Sequence, residues 1–451
     1  GILIMPVFGT QMFGSGGAAY EIGNSCVFDA GSTASMSRTP GSAGNQKILT
    51  QSIWVKRGKL GTDQTLGVNV SGGVSTGLGV WFNGDDTMSV YVLLDTTWVG
   101  KLTTTQVFRD PSAWYHVVFS VDTPQATASN RIKLYINGSQ VTDFSVDDYP
   151  DQDTTTQFNN TVTHYIGRYA SSASYWADMY QAEHHWIDGT ALTPSSFGET
   201  NDEGVWVPKK YSGSYGTTGF YLDYADSSDL GDDESGQGND WAESNLAATD
   251  QSTDTPTNNH CTLNVLDPIT GSVEVTEGAK QVKFTGGDQD SVLGTIFQSK
   301  GKWYWEMKYV TAGGGGNWGI TRKNFNVSVD FGSTSGSYAF RSGGGKINNN
   351  SAASYGSAWS ADDIIQCAWD ADNGKVFFGI NNTWQASGDP AAGSNPAYSS
   401  IGTTVVDGGG LGPGASSEGN TVYLFRFTEA ECSYDPPTGF KHLNTANIAE
   451  P

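Results

Sequence analysis

An acidic, glycine-rich stretch between residues 229 and 240 has the residue types that could bind a metal ion. Its candidate ligands are the carboxylate and amide side chains of Asp229, Asp232, Asp233, Asn239 and Asp240. Hard oxygen ligands crowded among glycines are what Ca²⁺ requires, although the spacing here departs from that of an EF-hand loop. The stretch therefore predicts either a structural calcium site or an acidic turn exposed to solvent.

Other residues with reactive side chains do not form a catalytic pattern. Glu183, His184 and His185 are consecutive. Neighbouring side chains of a strand point to opposite faces, so the two histidines cannot bind one ion unless the strand has a bulge. No serine has the sequence context of a nucleophile elbow. We predict no catalytic residues and a structural role for both histidines.

Aromatic side chains near expected loops are a further kind of candidate, because an aromatic face matches the apolar face of a sugar ring. The chain has 14 tryptophans, and we expect most of them to pack in the core. The candidate ligand contacts are Trp98, Trp318, Tyr338, Trp359 and Trp384.

Two similar hairpins must position these residues. Apolar side chains alternate with polar ones along 114–122 and again along 132–136, which predicts two half-buried strands. A second hairpin is expected from 364–370 and 375–382, after a turn at Asp372-Asn373-Gly374. The polar side chains of the first hairpin form a candidate binding surface that comprises His116, Lys133 and Tyr135.

Composition favours an acidic all-β protein of two or three domains. The 451 residues include 47 acidic and 24 basic side chains, so the formal net charge is −23. Such a charge repels nucleic acid and anionic membranes, and is consistent with solubility or with cation binding. The 58 glycines and 15 prolines suit many short strands joined by turns, and long helical patterns are missing.

The four cysteines, Cys26, Cys261, Cys367 and Cys432, are too few and too dispersed for a disulfide framework or a zinc site. Cys261 is expected near the first strand of the second domain and Cys432 near its last strand. Terminal strands are often neighbours in a closed sandwich, so this pair is either a disulfide or two buried free thiols.

Several motifs of the first domain resemble the LamG, or concanavalin A-like lectin/glucanase, superfamily. They follow one another as Ile53–Lys56, Trp114–Val118, Leu134–Gly138, Ile166–Arg168 and Asp188–Pro194. The resemblance implies a β-sandwich, and the acidic stretch resembles a loop that such domains often use for structural calcium. A glucanase of this kind should carry carboxylates at alternate positions of one strand. No such pattern occurs, so we predict that the protein is not an enzyme.

Residues of the second domain resemble a SPRY (B30.2-like) β-sandwich. The motifs are Gly301–Glu306, Trp318–Ile320 and the segment from Asp370 to Asn381. The predicted fold is therefore all-β, with two tandem antiparallel β-sandwich (jelly-roll) domains joined by an acidic connector. The predicted boundaries are 1–24 for an N-terminal attachment arm, 25–198 for the first sandwich, 199–259 for the connector, 260–433 for the second sandwich and 434–451 for a C-terminal connector or docking tail.

The whole succession resembles virion proteins of tailed phages. By that resemblance the chain is a tail-fibre or capsid-appendage protein, located on the virion. It implies attachment to other virion proteins through the N-terminal arm, homo-oligomerisation and adhesion to a host surface glycan. Gly1 to Met5 is too short and uncharged for a signal peptide. Two alternatives remain, a purely architectural virion protein without a ligand and a polysaccharide-degrading enzyme.

Overall fold

A computed structural model describes residues 20–70, 78–94, 97–169, 175–266, 272–286, 290–403 and 410–448. Within these ranges the chain forms thirty-three short strands and no α-helix, which confirms the all-β prediction. Single 3-10 turns occur at Ala128–Asn130, Pro194–Ser196, Ala248–Asp250, Gln385–Ser387 and Thr445–Asn447. Within the same ranges, no helix has the length and apolarity needed to cross a membrane.

The first sandwich is built from nineteen strands. They are β1 (Ser25–Phe28), β2 (Ser35–Arg38), β3 (Ile48–Arg57), β4 (Gln64–Thr65), β5 (Asn69–Val70), β6 (Leu78–Phe82), β7 (Thr87–Leu94), β8 (Thr97–Val107), β9 (Trp114–Asp122), β10 (Ile132–Ile136), β11 (Ser139–Gln140), β12 (Phe144–Asp148), β13 (His164–Ile166), β14 (Met179–Asp188), β15 (Gly198–Thr200), β16 (Trp206–Pro208), β17 (Phe220–Leu222), β18 (Ala242–Ser244) and β19 (Gln251–Ser252).

These strands form two main sheets that share one core. The larger sheet has the order β11-β10-β9-β3-β14-β1-β19, with β17 also paired to β14, and the second has the order β12-β8-β7-β6-β4. Smaller sheets have the orders β18-β2-β13-β5 and β15-β16. Apolar side chains of β3, such as Ile53 and Val55, belong to the same buried cluster as Met88 and Val90 of β7. The core therefore lies between the two main sheets.

The predicted first hairpin is confirmed in its position. Strand β9 pairs with β10 in an antiparallel register that places Ile132 opposite Val121 and Ile136 opposite Val117. The turn residues Asn137 and Gly138 have φ values of 48° and 81°, a conformation that asparagine and glycine tolerate.

The polar face of this hairpin is not the binding surface that the sequence suggested. His116 is fully buried, and the indole Nε1 of Trp206 donates a hydrogen bond to its Nδ1 at 3.0 Å. Tyr135 is also buried, in a cluster that contains Phe197 and Tyr215. A later segment of the sequence thus covers the face that the alternating pattern predicted to be exposed to solvent.

Residues 199–259, which the sequence suggested as a connector, pack as part of the first sandwich. Strand β17 pairs with β14, β18 pairs with β2, and β19 pairs with β1. Leu230 and Trp241 belong to the core cluster of this sandwich. The segment is therefore ordered by strand pairing and apolar burial rather than being a free linker.

The second sandwich comprises fourteen strands. They are β20 (Val273–Thr276), β21 (Gln281–Phe284), β22 (Asp290–Leu293), β23 (Lys302–Thr311), β24 (Gly316–Arg322), β25 (Ser337–Arg341), β26 (Gly345–Asn348), β27 (Ser351–Ser354), β28 (Ile364–Asp370), β29 (Lys375–Ile380), β30 (Thr383–Trp384), β31 (Leu411–Ser417), β32 (Thr421–Arg426) and β33 (Lys441–His442).

Two sheets again enclose a core. One has the order β20-β21-β32-β23-β28-β29-β30, with β33 paired in parallel to β23, and the other has the order β22-β31-β24-β25-β26-β27. The predicted second hairpin is confirmed as β28 and β29, with Asp370 opposite Lys375. Trp305, Trp318 and Trp369 are fully buried in this core.

All four cysteines are free thiols, as in the second of the two sequence-based alternatives. The Sγ of Cys261 accepts a hydrogen bond from Thr295 Oγ1, and that of Cys432 donates to the carbonyl oxygen of Arg426. Burial raises the pKa of the Cys261 thiol to about 11, which keeps it protonated and unreactive at neutral pH.

Candidate functional site

Four aromatic side chains form a partly exposed cluster on the first sandwich, which we call the aromatic platform. It consists of Trp81, Tyr91, Tyr169 and Tyr175. The ring centroid of Trp81 lies 5.4 Å from that of Tyr91, 5.0 Å from that of Tyr169 and 4.9 Å from that of Tyr175. Such edge-to-face and tilted pairs stabilise one another beyond the area that they bury.

Strand alternation explains why the platform faces outward. In β6 and β7 the side chains of Val80, Phe82, Met88 and Val90 are buried in the core between the sheets. Because successive side chains of a strand point to opposite faces, Trp81 must lie on the outer face of the five-stranded sheet. Tyr91 lies on the outer face of β7 for the same reason.

A rim of hydrogen-bonding side chains adjoins the platform. Asn83 Nδ2 donates to Ser89 Oγ at 2.8 Å, and Ser89 Oγ lies 2.9 Å from Thr103 Oγ1. The phenol of Tyr91 donates to Asn83 Oδ1 at 3.4 Å, and Lys101 Nζ lies 5.2 Å from the centre of the Tyr91 ring. The partly exposed Asn83 amide and Lys101 ammonium therefore lie beside flat apolar surface, whereas Ser89 is 0% exposed and holds Asn83 in place.

Burial raises the pKa of the Tyr91 phenol, so this group is neutral at physiological pH and can both donate and accept a hydrogen bond. Flat rings bordered by neutral donors and acceptors can recognise a sugar ring, which has an apolar face and a hydroxyl edge. The chemistry available at the platform is recognition.

A cleft of about 600 Å³ in the second sandwich is a second candidate site. Two glycines, Gly315 and Gly316, and the turn that joins β25 to β26 form two of its walls, and β27 forms another. Gly344 in that turn has a φ of 85°, and its carbonyl accepts hydrogen bonds from the backbone nitrogens of Tyr355 and Gly356. Arg341 also lines the cleft, and its side chain is exposed.

Two of the predicted sugar-stacking aromatics are buried, so that prediction is wrong for them. Trp318 is 0% exposed and packs against Phe378 and Phe425, with centroid distances of 6.2 and 6.4 Å. Trp359 is 7% exposed and belongs to the same core cluster. Neither ring has a face left for a ligand, because both faces are used in core packing.

The other three aromatic candidates stay predictions. Tyr338 is half-buried, and its ring lies 5.3 Å from that of Tyr398 in an edge-to-face arrangement. Trp384 is half-buried at the end of β30 and packs against the small cluster around Phe377. Trp98 lies on β8, and its side chain is outside the described residues.

The candidate calcium ligands mostly bond to the protein itself. Asp233 accepts hydrogen bonds from the backbone nitrogens of Tyr221 and Asn239, and Asn239 also bonds to the guanidinium of Arg38. Asp240 Oδ1 accepts from the backbone nitrogen of Asp233 at 3.2 Å. Within the described part of the chain, no three Asp, Glu, His or Cys side chains are grouped as a metal site would need. These contacts describe an acidic turn that is held by its own hydrogen bonds, and the calcium site stays a prediction.

The two adjacent histidines lie at a bulge in β14, where the pairing with β3 shifts register. Glu183 adopts a φ of 50° there and accepts a hydrogen bond from the phenol of Tyr221 at 2.6 Å. His185 stacks on Tyr221 with ring centroids 4.3 Å apart, whereas His184 Nε2 lies 3.1 Å from Gln51 Nε2. Burial, and then nearby His185, lower the pKa of His184 to about 3, which keeps that ring neutral. The contacts support the structural role predicted for both histidines.

The aromatic platform was not among the sequence-based predictions, because the predicted ligand contacts were aromatic residues near expected loops. Along β6 and β7, Trp81 and Tyr91 alternate with Val80 and Val90, and the packing of the opposite sheet decides which of the two sets faces outward. An aromatic residue at an outward position of an amphipathic strand is stronger evidence for a binding site than one near an expected loop.

Two domain families are found in the chain. The concanavalin A-like lectin/glucanases superfamily matches residues 30–180, which include the whole aromatic platform. The SPRY domain matches residues 302–390, which include most of the second sandwich's central strands and all the residues that line the cleft. These matches support both resemblances that the sequence motifs indicated.

Among solved structures, the SPRY domain of human HERC1 is similar to part of this chain. The sequences are 17% identical, and the match covers 36% of this chain and 94% of that one, with a TM-score of 0.29. A likeness at this level carries no structural argument.

Proposed function

We propose that this protein is a non-catalytic adhesive protein that binds carbohydrate through the aromatic platform of its first sandwich. The observation that carries the proposal is the position of Trp81, partly exposed among three tyrosine rings and beside the Asn83 and Ser89 side chains. The concanavalin A-like match supports the same class, since such domains are often binding modules without catalytic activity.

Binding of the full chain to a glycan array, followed by calorimetry with the best ligand, tests this proposal. Trp81→Ala should weaken the best interaction roughly tenfold or more, because a stacking surface is lost. Tyr434→Ala removes a half-buried aromatic side chain that belongs to neither the platform nor the predicted ligand contacts, and is the matched control. Equal affinity of the Trp81 variant and the parent chain, with both folded by circular dichroism, would exclude the platform as the site.

The SPRY match favours a second binding activity, towards a protein partner, at the cleft around Arg341 and Gly344. Backbone groups of the glycines and the exposed guanidinium are suited to an extended chain that presents a carboxylate. Arg341→Ala should then reduce capture of such a partner while leaving glycan binding unchanged, which separates the two activities.

The virion origin is the more specific part of the proposal. We infer from the order of the sequence motifs that the protein is a tail-fibre or capsid appendage of a tailed phage. In this proposal residues 1–24 attach it to other virion proteins, it assembles as a homo-oligomer, and the glycan belongs to the host surface. Antibody labelling of purified particles in the electron microscope tests the location, and light scattering of the purified chain tests the oligomer.

Two rival functions give different results in the same assays. An architectural protein would bind no host polysaccharide, whereas deletion of residues 1–24 would abolish its incorporation into particles. A polysaccharide-degrading enzyme would release reducing ends from a host glycan over time. Release of reducing ends by the purified chain would overturn the non-catalytic assignment.

A further inference from the structure

A lysine, an asparagine and an aspartate meet in a buried pocket where the two sandwiches join. Lys56 belongs to β3 of the first sandwich, whereas Asp254 and Asn259 lie on the segment that leads into the second. Lys56 Nζ is 2.8 Å from Asp254 Oδ2 and 2.8 Å from Asn259 Oδ1. The exposed fractions of these residues are 0%, 1% and 5%, so water is largely excluded from all three.

We propose that Lys56 and Asn259 form an intramolecular isopeptide bond, with Asp254 as the group that accepts and relays the proton. This modification lies outside the aromatic platform and does not depend on the proposed function. The structure describes the arrangement before reaction, with the amine in contact with the side-chain amide that it would attack. Lys56 Nζ donates hydrogen bonds to Asn259 Oδ1, the oxygen bonded to Cγ, and to the carbonyl oxygen of His260 at 2.8 Å. The amine and the amide are therefore held together, so the step would be intramolecular.

The surrounding residues hold each reactant in a fixed position. Asn259 Nδ2 donates to the carbonyl oxygen of Ser112 at 2.6 Å, which fixes the amide plane. Asp254 Oδ1 accepts from Trp114 Nε1 at 3.1 Å and from the backbone nitrogen of His260 at 3.2 Å. Oδ2 of the same carboxylate therefore remains directed at the amine.

The reaction balances without any oxidant or cofactor. A proton passes from the Lys56 ammonium to Asp254 Oδ2, and rotation about Cε–Nζ turns the freed lone pair towards Asn259 Cγ. A bond forms between Nζ and Cγ, and the bond between Cγ and Nδ2 breaks. The departing nitrogen takes a second hydrogen from Nζ and leaves as ammonia, while the proton held by Asp254 is released to solvent. Trp114 and Tyr180 are both 1% exposed, and they line the pocket and shield the reacting groups from water.

A covalent bond would fix β3 of the first sandwich to the end of the segment that precedes the second sandwich. The two side chains are 203 residues apart in sequence, so the bond would close a loop of nearly half the chain. A loop of that length strongly restricts the unfolded chain. The segment after the bond is anchored in turn, because Asn259 and Thr445 exchange backbone and side-chain hydrogen bonds at 2.9 Å.

Intact mass spectrometry of the purified full chain tests the proposal, followed by a tryptic map with fragmentation. The expected mass is lower than that of the sequence by one ammonia, with a branched peptide that joins the strand containing Lys56 to the segment containing Asn259. Trypsin should fail to cleave after Lys56. In denaturing gels the cross-linked chain should migrate faster than Asp254→Asn, which keeps the shape of the side chain but lacks the carboxylate.

Lys308→Met is the matched control, because it also removes a lysine from an ion pair, the one with Asp362. This variant should still show the loss of ammonia. An unmodified intact mass after prolonged incubation, with normal cleavage after Lys56, would overturn the proposal. Ammonia loss that maps to an Asn-Gly turn such as Asn137-Gly138 would overturn it equally. The peptide map of the unsubstituted chain decides the matter even where a variant fails to fold.

Discussion

Arg57 and Asp86 form a buried ion pair, with Arg57 Nη1 2.9 Å from Asp86 Oδ1 and exposed side-chain fractions of 0% and 8%. The pair connects β3 of the larger sheet to the turn between β6 and β7. These two strands carry Trp81 and Tyr91 of the aromatic platform. Asp86 also accepts hydrogen bonds from the backbone nitrogen of Gly61 at 2.8 Å and from Arg109 Nε at 2.9 Å. This one carboxylate therefore holds the platform strands against the opposite sheet.

Substitution Asp86→Asn should destabilise the first sandwich by about 3 to 5 kcal/mol, because it leaves the buried Arg57 guanidinium without its counter-charge. Urea unfolding followed by tryptophan fluorescence measures the change. Asp153→Asn is the control, since Asp153 pairs with Lys47 at the surface and should contribute no more than about 1 kcal/mol. Equal stability of the two variants would show that the Arg57 pair is dispensable.

The pH dependence of the Asp86 contribution has a definite sign. Burial alone would raise the pKa of Asp86, but the hydrogen bond from Gly61 and the Arg109 and Arg57 guanidinium groups outweigh it, so the pKa is lowered. A carboxylate with a lowered pKa in the folded state stabilises the fold above its unfolded-state pKa and loses that effect as the pH falls. The difference between the parent chain and Asp86→Asn should therefore shrink on acidification.

Asp178 should show the opposite behaviour. Burial, and then the Asp29 carboxylate, raise its pKa to about 7, and its Oδ1 has no hydrogen-bond partner among the described residues. The unfolded-state pKa of aspartate is about 3.9. The fold is therefore most stable with Asp178 protonated, and the stability falls as the pH rises from about 4 through 7.

Asp178→Asn should consequently be more stable than the parent chain at pH 8, by roughly 2 to 4 kcal/mol, and equal to it near pH 4. Thermal melts across this pH range measure the difference. Asp151→Asn, at an exposed position, should leave the curve unchanged. A variant that is less stable than the parent chain at pH 8 would show that the charged form of Asp178 is not the disfavoured one.

Local patterns were sufficient to predict the hairpins but not their surroundings. Alternation along 114–122 and 132–136 specifies β9 and β10, and Asn137-Gly138 specifies the turn from β10 to β11, because these signals are local. Burial of His116 depends on Trp206, ninety residues further along the chain. The alternation within the hairpin cannot predict this burial, because the pattern of polar residues is the same whether water or another segment covers that face.

For the candidate site, too, local sequence patterns could not predict which side chains are buried. Trp318 was expected near a loop, whereas it lies in β24 between β25 and β31 and faces the core. Conversely, Trp81 and Val80 are both apolar, so the sequence does not say which of them faces outward. The answer comes from the opposite sheet, which packs against Val80.

Gly138→Ala should destabilise the first sandwich through a clash as well as through backbone strain. Gly138 has a φ of 81°, and a Cβ at this position would lie 2.4 Å from a ring carbon of Trp206. Strain at such a φ costs about 1 kcal/mol, and overpacking adds roughly 1 to 3 kcal/mol. Gly204→Ala isolates the strain, because Gly204 has the same φ of 81° with nothing within 4 Å of the added carbon. Equal losses in the two variants would contradict the clash with Trp206.

Removal of calcium should leave the melting temperature unchanged. Each carboxylate oxygen of Asp233 already accepts two hydrogen bonds from the protein. Oδ1 accepts from the backbone nitrogens of Tyr221 and Ser235 at 2.9 Å. Oδ2 accepts from Ser235 Oγ and the Asn239 backbone nitrogen at 2.8 Å. A calcium ion would have to displace these donors, and each buried donor left unpaired costs about 1 to 3 kcal/mol.

Melting scans with a chelator and with excess Ca²⁺ test this expectation, with Mg²⁺ as the control cation. Asp233→Ala should lower the melting temperature by the same amount in both buffers, because it removes hydrogen bonds and not a metal ligand. A midpoint that rises with Ca²⁺ concentration in the parent chain but not in Asp233→Ala would instead place a calcium ion in this turn, since a ligand that binds only the folded state stabilises it in proportion to its occupancy.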